Sequence, residues 1–298
     1  MSKLITVMGN FKSVEYVTEL IKKKKHENVF NPSLAVVASV TYVSFRAFGT
    51  TGASKFDSFI IKFDSESQFS EEINISELCA TYSIAICADP KLVVMENEVW
   101  LTFNTGHSEN ENAIYLMKVS NKIGKPYQCI LESREKIEKN WAFFKDNNHL
   151  HAVYSLTPLV KLKLSNICEQ KNIFYFKFLN DDLADLKYLQ KKSNLSIGTQ
   201  LLKINDSYNL IAHEKIKIGR KRVYFGRFVE IKNSTVVIHK KRLIHSYASL
   251  LGSRIKHNKN LISCTYFSGL AADGEDFIIS YGVNDISFDV KRIPQQFL

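Results

Sequence analysis

Apolar residues run through most of this chain in short strands broken by polar turns, and helical spacing is confined to two short stretches. Residues Lys12 to Lys25 carry Val14, Val17, Leu20 and Ile21 at helical intervals and end in four lysines, which predicts one short N-terminal helix with a solvated, dipole-matched end. From Asn31 onward one unit recurs. Asn31 to Arg46 is an apolar pair about Ala38-Ser39, and Pro90 to Asn104 turns at Glu96-Asn97. Trp141 to Tyr154 turns at Asp146-Asn147-Asn148, Thr199 to His213 at Asn205-Asp206-Ser207, and Phe267 to Tyr281 at Asp273-Gly274-Glu275. β-Branched and aromatic residues flank each turn, so each reads as a hairpin. Asp57–Phe63, Ala113–Val119, Ile173–Phe178 and Thr235–His239 read as outer strands completing each unit. Asp181 to Lys192, with Leu183, Leu186, Tyr188 and Leu189, predicts a short inserted helix.

Five hairpins at intervals of roughly 50 to 70 residues have the period of a repeat architecture. A radially repeated four-stranded sheet is a β-propeller, with the first strands of the units gathered around a central channel. The expected fold is therefore all-β, a five-bladed β-propeller with a short N-terminal helix. Residues 1–29 would form the helical extension and residues 30–298 the propeller. A long β-sandwich would also give frequent strands, but it has no reason to repeat this hairpin five times.

Composition narrows the class. With 298 residues, 45% hydrophobic and 23% charged, the chain can bury a large core and is not compositionally disordered. Nothing resembles a signal peptide or an integral membrane segment. Five scattered cysteines without a Cys-x-x-Cys pair point to a reducing, cytoplasmic setting and away from a cysteine zinc site. A formal net charge of +10 favours anionic partners. The basic segments Lys215–Arg222 and His239–Arg242 read as lining the propeller face and attracting an acidic glycan or a phosphorylated acceptor. Tyr224–Val229 lacks the βαββαβ context of an RNA-recognition strand, so no nucleic-acid partner is expected. Phosphate-binding loop, dinucleotide fingerprint, nucleophile elbow and metalloprotease helix are all absent from the sequence.

If the hairpins are equivalent, their open ends converge. The polar residues there are Asn31 and Arg46, Asp89 and Asn104, Lys139 and Tyr154, Thr199 and His213, then Tyr281 and Asp285. Pro90 is expected to begin its strand and hold Asp89 extended. Taken singly, Arg46 and Lys139 read as surface cations, His213 as a strand-end histidine and Asp285 as a turn cap. Taken together, a carboxylate beside an arginine, a lysine and a histidine is what an acid acting next to a bound anion requires.

These residues carry a family resemblance. Asn31-Pro32-Ser33 through Phe45-Arg46, Asp89-Pro90-Lys91-Leu92, Glu138-Lys139-Asn140-Trp141, Gly198-Thr199, His213-Glu214 and Ser280-Tyr281-Gly282-Val283-Asn284-Asp285 occur in the order seen in glycoside hydrolase family 130. The chain resembles that family of inverting β-mannoside phosphorylases, some hydrolases and related β-1,2-mannosyltransferases over roughly residues 30 to 290. The resemblance implies a sugar pocket in a five-bladed propeller, with Asp89 as general acid and Arg46, Lys139 and His213 as phosphate ligands. Tyr281 and Asp285 match a Tyr-x-x-x-Asp pocket element, and Asn31, Asn104, Tyr154 and Thr199 would complete the substrate site. Ala88, Lys91 and Ile197 stand where the family has glutamate, arginine and glycine. No cofactor or metal is implied; inorganic phosphate or a sugar phosphate is the co-substrate. The expected function is inverting transfer of a mannose-like sugar between a phosphate or nucleotide donor and a glycan acceptor. Two alternatives stay open: a hydrolase using Glu138, Glu214 or Glu230 to activate water, and a non-catalytic propeller that binds glycans or proteins. The oligomeric state is left undetermined.

Overall fold

The computed structural model describes residues 3–49, 54–64, 69–106, 111–132, 134, 138, 140–179, 194–252 and 259–297. Within them the chain is all-β with few helices. It starts with β1 (Leu4–Thr6), the single turn α1 (Val7–Asn10), β2 (Lys12–Ser13) and α2 (Glu15–Lys23). α2 buries Val17, Leu20 and Ile21 on one face and places Lys22 and Lys23 in its last turn, as the helical spacing predicts. It begins later than expected because Lys12 and Ser13 are used as a strand, paired with Arg292 and Lys291. The helix predicted over Asp181 to Lys192 lies outside the described residues.

All five hairpins are present. The first unit is β3 (Phe30–Val37), β4 (Val40–Phe48), β5 (Phe56–Asp64) and β6 (Phe69–Asn74), followed by α3 (Ile75–Ala80). The second is β7 (Ala88–Met95), β8 (Glu98–Asn104), β9 (Ile114–Lys118) and β10 (Tyr127–Leu131). The third is β11 (Ala142–Asp146), β12 (His149–Leu156), β13 (Leu159–Cys168) and β14 (Ile173–Phe178). The fourth is β15 (Leu195–Ile197), β16 (Leu202–Ile204), β17 (Ser207–Ile218), β18 (Lys221–Lys232) and β19 (Thr235–Ile244). β20 (Leu261–Asp273), β21 (Asp276–Val283) and β22 (Ser287–Pro294) form the fifth. Sequential strands within a unit pair antiparallel, except that β15 and β16 both pair with β17. The two-residue turns Glu96-Asn97 and Asn147-Asn148 have positive φ at both central residues, the geometry that matches hairpin twist and that asparagine tolerates.

Parallel pairing of β10 with β14 and of β18 with β20 joins neighbouring units, giving sheets of ten, eight and four strands. β1 adds to β19 in parallel and β2 closes the outer edge of β22.

The core lies between units. Leu101, Phe103 and Met117 pack with Tyr42 and Ile60 of the first unit, whereas Val93, Ile114 and Leu116 pack with Trp141 and Phe143 of the third. Phe144 and Val153 meet Leu210 and Val229, Ile211 and Phe228 meet Phe267 and Ile279, and Ala271 and Ile278 meet Phe45 and Phe59. Neighbours such as Leu92 and Val93 therefore enter different clusters. This is why the strands read as continuous apolar runs rather than as alternations: both faces are buried. Each fully buried Phe or Leu here contributes about 1.5–3 kcal/mol relative to exposure. The order of clusters is cyclic, since the fifth unit packs on the first. A cavity of about 520 Å³ is lined by Leu34 of β3, Leu92 of β7, Phe143 of β11, Leu202 of β16 and Leu270 of β20, so the first strands surround one space at their turn ends.

Candidate functional site

The opposite, open ends of the same strands carry the chemistry. Two of them share one local device. Pairing of β3 with β4 slips between Phe30 and Ser33, and pairing of β7 with β8 slips between Ala88 and Lys91. In each slip an Asx-Pro step sits with its first residue in the left-handed region, Asn31 at φ 51° and Asp89 at φ 51°. This corrects the expectation that Pro90 holds Asp89 extended. A bulge turns the side chain instead, and asparagine and aspartate are the non-glycine residues that accept that conformation most readily. Buried serines hold both bulges: Ser268 and Ser280 donate to the Pro32 carbonyl at 2.6 and 2.5 Å, and Ser44 donates to the Pro90 carbonyl at 3.1 Å.

Arg46 meets Asp89 from β4. Its Nη1 lies 3.5 Å from Asp89 Oδ1, and its guanidinium sits 5.2 and 5.3 Å from the Phe30 and Phe56 ring centroids. Aromatic rings on an arginine fix its direction and replace part of its hydration. The separation is long for a hydrogen bond, so the pair is a Coulombic contact with room for a third group.

Lys91, two residues beyond Asp89, is 1% exposed. Its Nζ donates to Asn140 Oδ1 at 2.8 Å and lies 5.2 Å from the Tyr266 ring centroid. The Tyr266 ring in turn stands 4.4 Å from His213. His213 is buried, and its Nε2 donates to the Phe267 carbonyl at 2.9 Å. Burial, reinforced by the Lys91 charge and opposed by the Phe267 hydrogen bond and Asp89, pushes His213 down to about 3. It therefore enters the site as a neutral ring with its Nε2 proton committed to the Phe267 carbonyl. Burial first, then Asp89, holds the Tyr266 phenol well above its ordinary value. Asp285, at φ 60° after β21, acts electrostatically on Tyr266 and Cys264, as Asp89 does.

Other expected site residues lie elsewhere or are engaged. Thr199 is fully buried; its hydroxyl donates to the Gln200 carbonyl at 3.0 Å and accepts from the Ile211 N–H at 3.0 Å. Tyr281 is a core ring against Phe267 with its hydroxyl 3.3 Å from Asp289. Tyr154 donates to buried Glu138, which also accepts from Trp141 Nε1 at 3.2 Å. Asn104 accepts from the Gly106 N–H at 2.9 Å and closes its hairpin. Lys139 lies outside the described residues. Among the candidate bases, Glu214 is held by Arg242 and Arg227, which keep its carboxyl below the usual range. Glu230 pairs with Asn209 near the turn end of its strand, away from Asp89.

Three buried polar atoms at this end have no hydrogen-bond partner among the described residues: Asn31 Oδ1, Arg46 Nε and the Tyr266 hydroxyl. Such groups cost free energy unless something satisfies them, so their gathering marks a place built for a polar ligand. Lys91 and Tyr266 were not among the sequence candidates. The available signal was a lysine directly before the apolar run Leu92–Met95, where a buried strand has no use for a charge unless a partner waits. Among the described residues no group of three or more His, Cys, Asp or Glu could hold a metal, and no helix is long and apolar enough to cross a membrane.

The fold is one found in carbohydrate-processing proteins. A β-1,2-mannobiose phosphorylase from Listeria innocua matches at 12% identity and TM-score 0.57, over 91% of this chain and 91% of its own. A glycosyl hydrolase from Bacteroides ovatus matches at 9% identity and TM-score 0.60, over 91% and 85%. A third structure comes from glycoside hydrolase family 130, described as mannoside phosphorylases that contain glycoside hydrolases targeting β-1,2-mannosidic linkages in Candida mannan. It matches at 10% identity and TM-score 0.61, over 91% and 85%. The likeness to family 130 is thus present in the fold as well as in the motifs. No family model and no curated protein sequence matches the chain.

Proposed function

We propose that the chain is a carbohydrate-active enzyme, built as a five-bladed propeller over residues 30–298 with residues 1–29 as its N-terminal helical extension. In this reading it performs inverting transfer of a mannose-like sugar between a phosphate-bearing donor and a glycan. Asp89 is the proton donor to the leaving oxygen. Arg46 and Lys91, with Lys139, neutralise the phosphate that attacks or departs on the opposite face. His213 positions Tyr266 and Lys91 as a neutral ring. The observation that carries the reading is the gathering of Asp89, Arg46 and Lys91 with three unsatisfied buried polar atoms at the converging strand ends. A half-buried acid beside a buried lysine and unsatisfied polar atoms is costly for a purely structural propeller, which weighs against the non-catalytic alternative. Five free cysteines fit a cytoplasmic enzyme.

Hydrolysis is the second reading, and one observation favours it. Asp285 follows Asn284, whose N–H donates to the Cys264 carbonyl at 3.0 Å, so a second carboxylate stands beside the Cys264–Tyr266 segment, where an inverting hydrolase could use it. The test is to follow β-mannooligosaccharide turnover with and without inorganic phosphate. Sugar 1-phosphate appearing in the presence of phosphate supports phosphorolysis; phosphate-independent release of free sugar supports hydrolysis. Asp89→Asn is expected to lower turnover about 10²–10⁴-fold. Unchanged turnover would remove Asp89 from the chemistry and sink both readings.

A further inference from the structure

The long hairpin of β17 and β18 reaches past the site. His213, Lys215 and Lys217 alternate on one face of β17, and directly across from them on β18 stand Gly226, Tyr224 and Arg222. At about 3.4 Å per residue, Lys217 lies about 14 Å beyond His213 along the strand. Lys217, Arg220 and Lys221 are exposed, while Lys215 and Arg222 are half-buried. Lys217 faces Arg222 in register, an arrangement of like charges that destabilises a two-stranded ladder. Among the described residues none of these five cations forms an ion pair; Glu214, on the opposite face of β17, is held by Arg227 and Arg242. Tyr224 ties the hairpin to the site: it is paired with Cys264 and feels the Asp285 charge that also acts on Tyr266.

The geometry points to this hairpin as an anion-binding subsite for the glycan processed at Asp89, which carries phosphate or carboxylate groups a few sugar residues from the reacting bond. The inference rests on the reading of the Asp89 site as a sugar site. It adds that the natural chain is charged. A neutral glycan would leave Lys217 opposite Arg222 uncompensated. An anionic one lying across Tyr266 and His213 meets the row Lys215, Lys217, Arg222 as it leaves the site, and its charge relieves their repulsion.

Binding would be measured with three probes: a neutral β-mannooligosaccharide, the same chain oxidised to uronates at C6, and the same chain carrying a phosphate monoester. At low salt, wild-type protein is expected to bind a charged chain about tenfold more tightly than the neutral one, with the advantage fading as salt screens it. The tighter of the two charged chains names the group. Lys217→Gln/Arg220→Gln/Arg222→Gln should abolish the advantage and leave turnover of the neutral chain unchanged. The single exposed change Lys217→Gln, which has no packing role, should reduce it in part. Equal binding of neutral and charged chains overturns the inference, as does an advantage that persists in the triple variant. So does an oligonucleotide of equal charge that competes as well as the charged glycan. Failure of the underlying sugar site would appear separately, as Asp89→Asn leaving neutral-chain turnover intact.

Discussion

Acidification should destabilise this protein through His213 before its carboxylates titrate. The ring is 2% exposed and sits at about 3 in the folded chain against an ordinary 6.5. The unfolded chain therefore takes up a proton between those values and the folded chain does not, so stability is full above 6.5 and falls as pH drops toward 3. Each pH unit inside the window is worth about 1.4 kcal/mol per such group. From pH 7 to about 4.5 the loss assigned to His213 is about 2–3 kcal/mol. His245, lowered to about 4 by burial, adds a second contribution of the same sign. Glu214 and Glu98, both held below the usual carboxylate range by cations, contribute their losses only at lower pH. Urea denaturation of wild type and His213→Gln at pH 7, 5.5 and 4.5 isolates the effect, since the variant keeps His245 and the carboxylates. The variant is expected to be less stable at pH 7 and to lose about 2–3 kcal/mol less on acidification. If both proteins lose the same amount, His213 is not buried in its neutral form, and the account of how the site holds Tyr266 and Lys91 fails with it.

Other outcomes follow from single contacts. Lys91→Met removes the buried ammonium that Asn140 accepts from, and turnover should fall about 10²-fold or more while Lys91→Arg retains part of it, read as kcat/KM with phosphate-bearing substrate. Gly282→Ala would press a methyl into Asn31 Oδ1, so it should displace Asn31, cost about 1–3 kcal/mol of stability in denaturation and depress turnover. Cys79, Cys87, Cys129 and Cys264 are buried and Cys168 is partly exposed, so a thiol reagent should label Cys168 first in the native protein and the other four only after unfolding.

The hairpins were legible because their turns are asparagine- and aspartate-rich and their strands are apolar on both sides, a local signal that tertiary context reinforces. Asp89 and Arg46 were legible as a pair because strand ends of equivalent hairpins must converge. What escaped was everything decided by partners far along the chain. β1 and β2 are three and two residues long and exist as strands because β19 and β22 offer edges to them. Thr199 looks like a site residue from its position, but its hydroxyl is consumed by the backbone on either side. The left-handed turn at Asp89 was hidden by the ordinary preference of residues before proline, which a bulge held by buried serines overrides. Lys91 looked like a departure from a motif until burial and Asn140 gave it a place.

The two N-terminal strands also set an order of events. Leu4 to Thr6 lie against Arg242 to Ile244, and Lys12 and Ser13 against Arg292 and Lys291. β1 and β2 must therefore wait for β19 and β22, made far later, before they find their seats, while the units between them can assemble on neighbours already made. Growth of the chain would thus yield an open arc of hairpins, with the outer edge of the fifth unit bare until β2 docks on it, and that one event would both complete the edge and bring the first and fifth units together around the site.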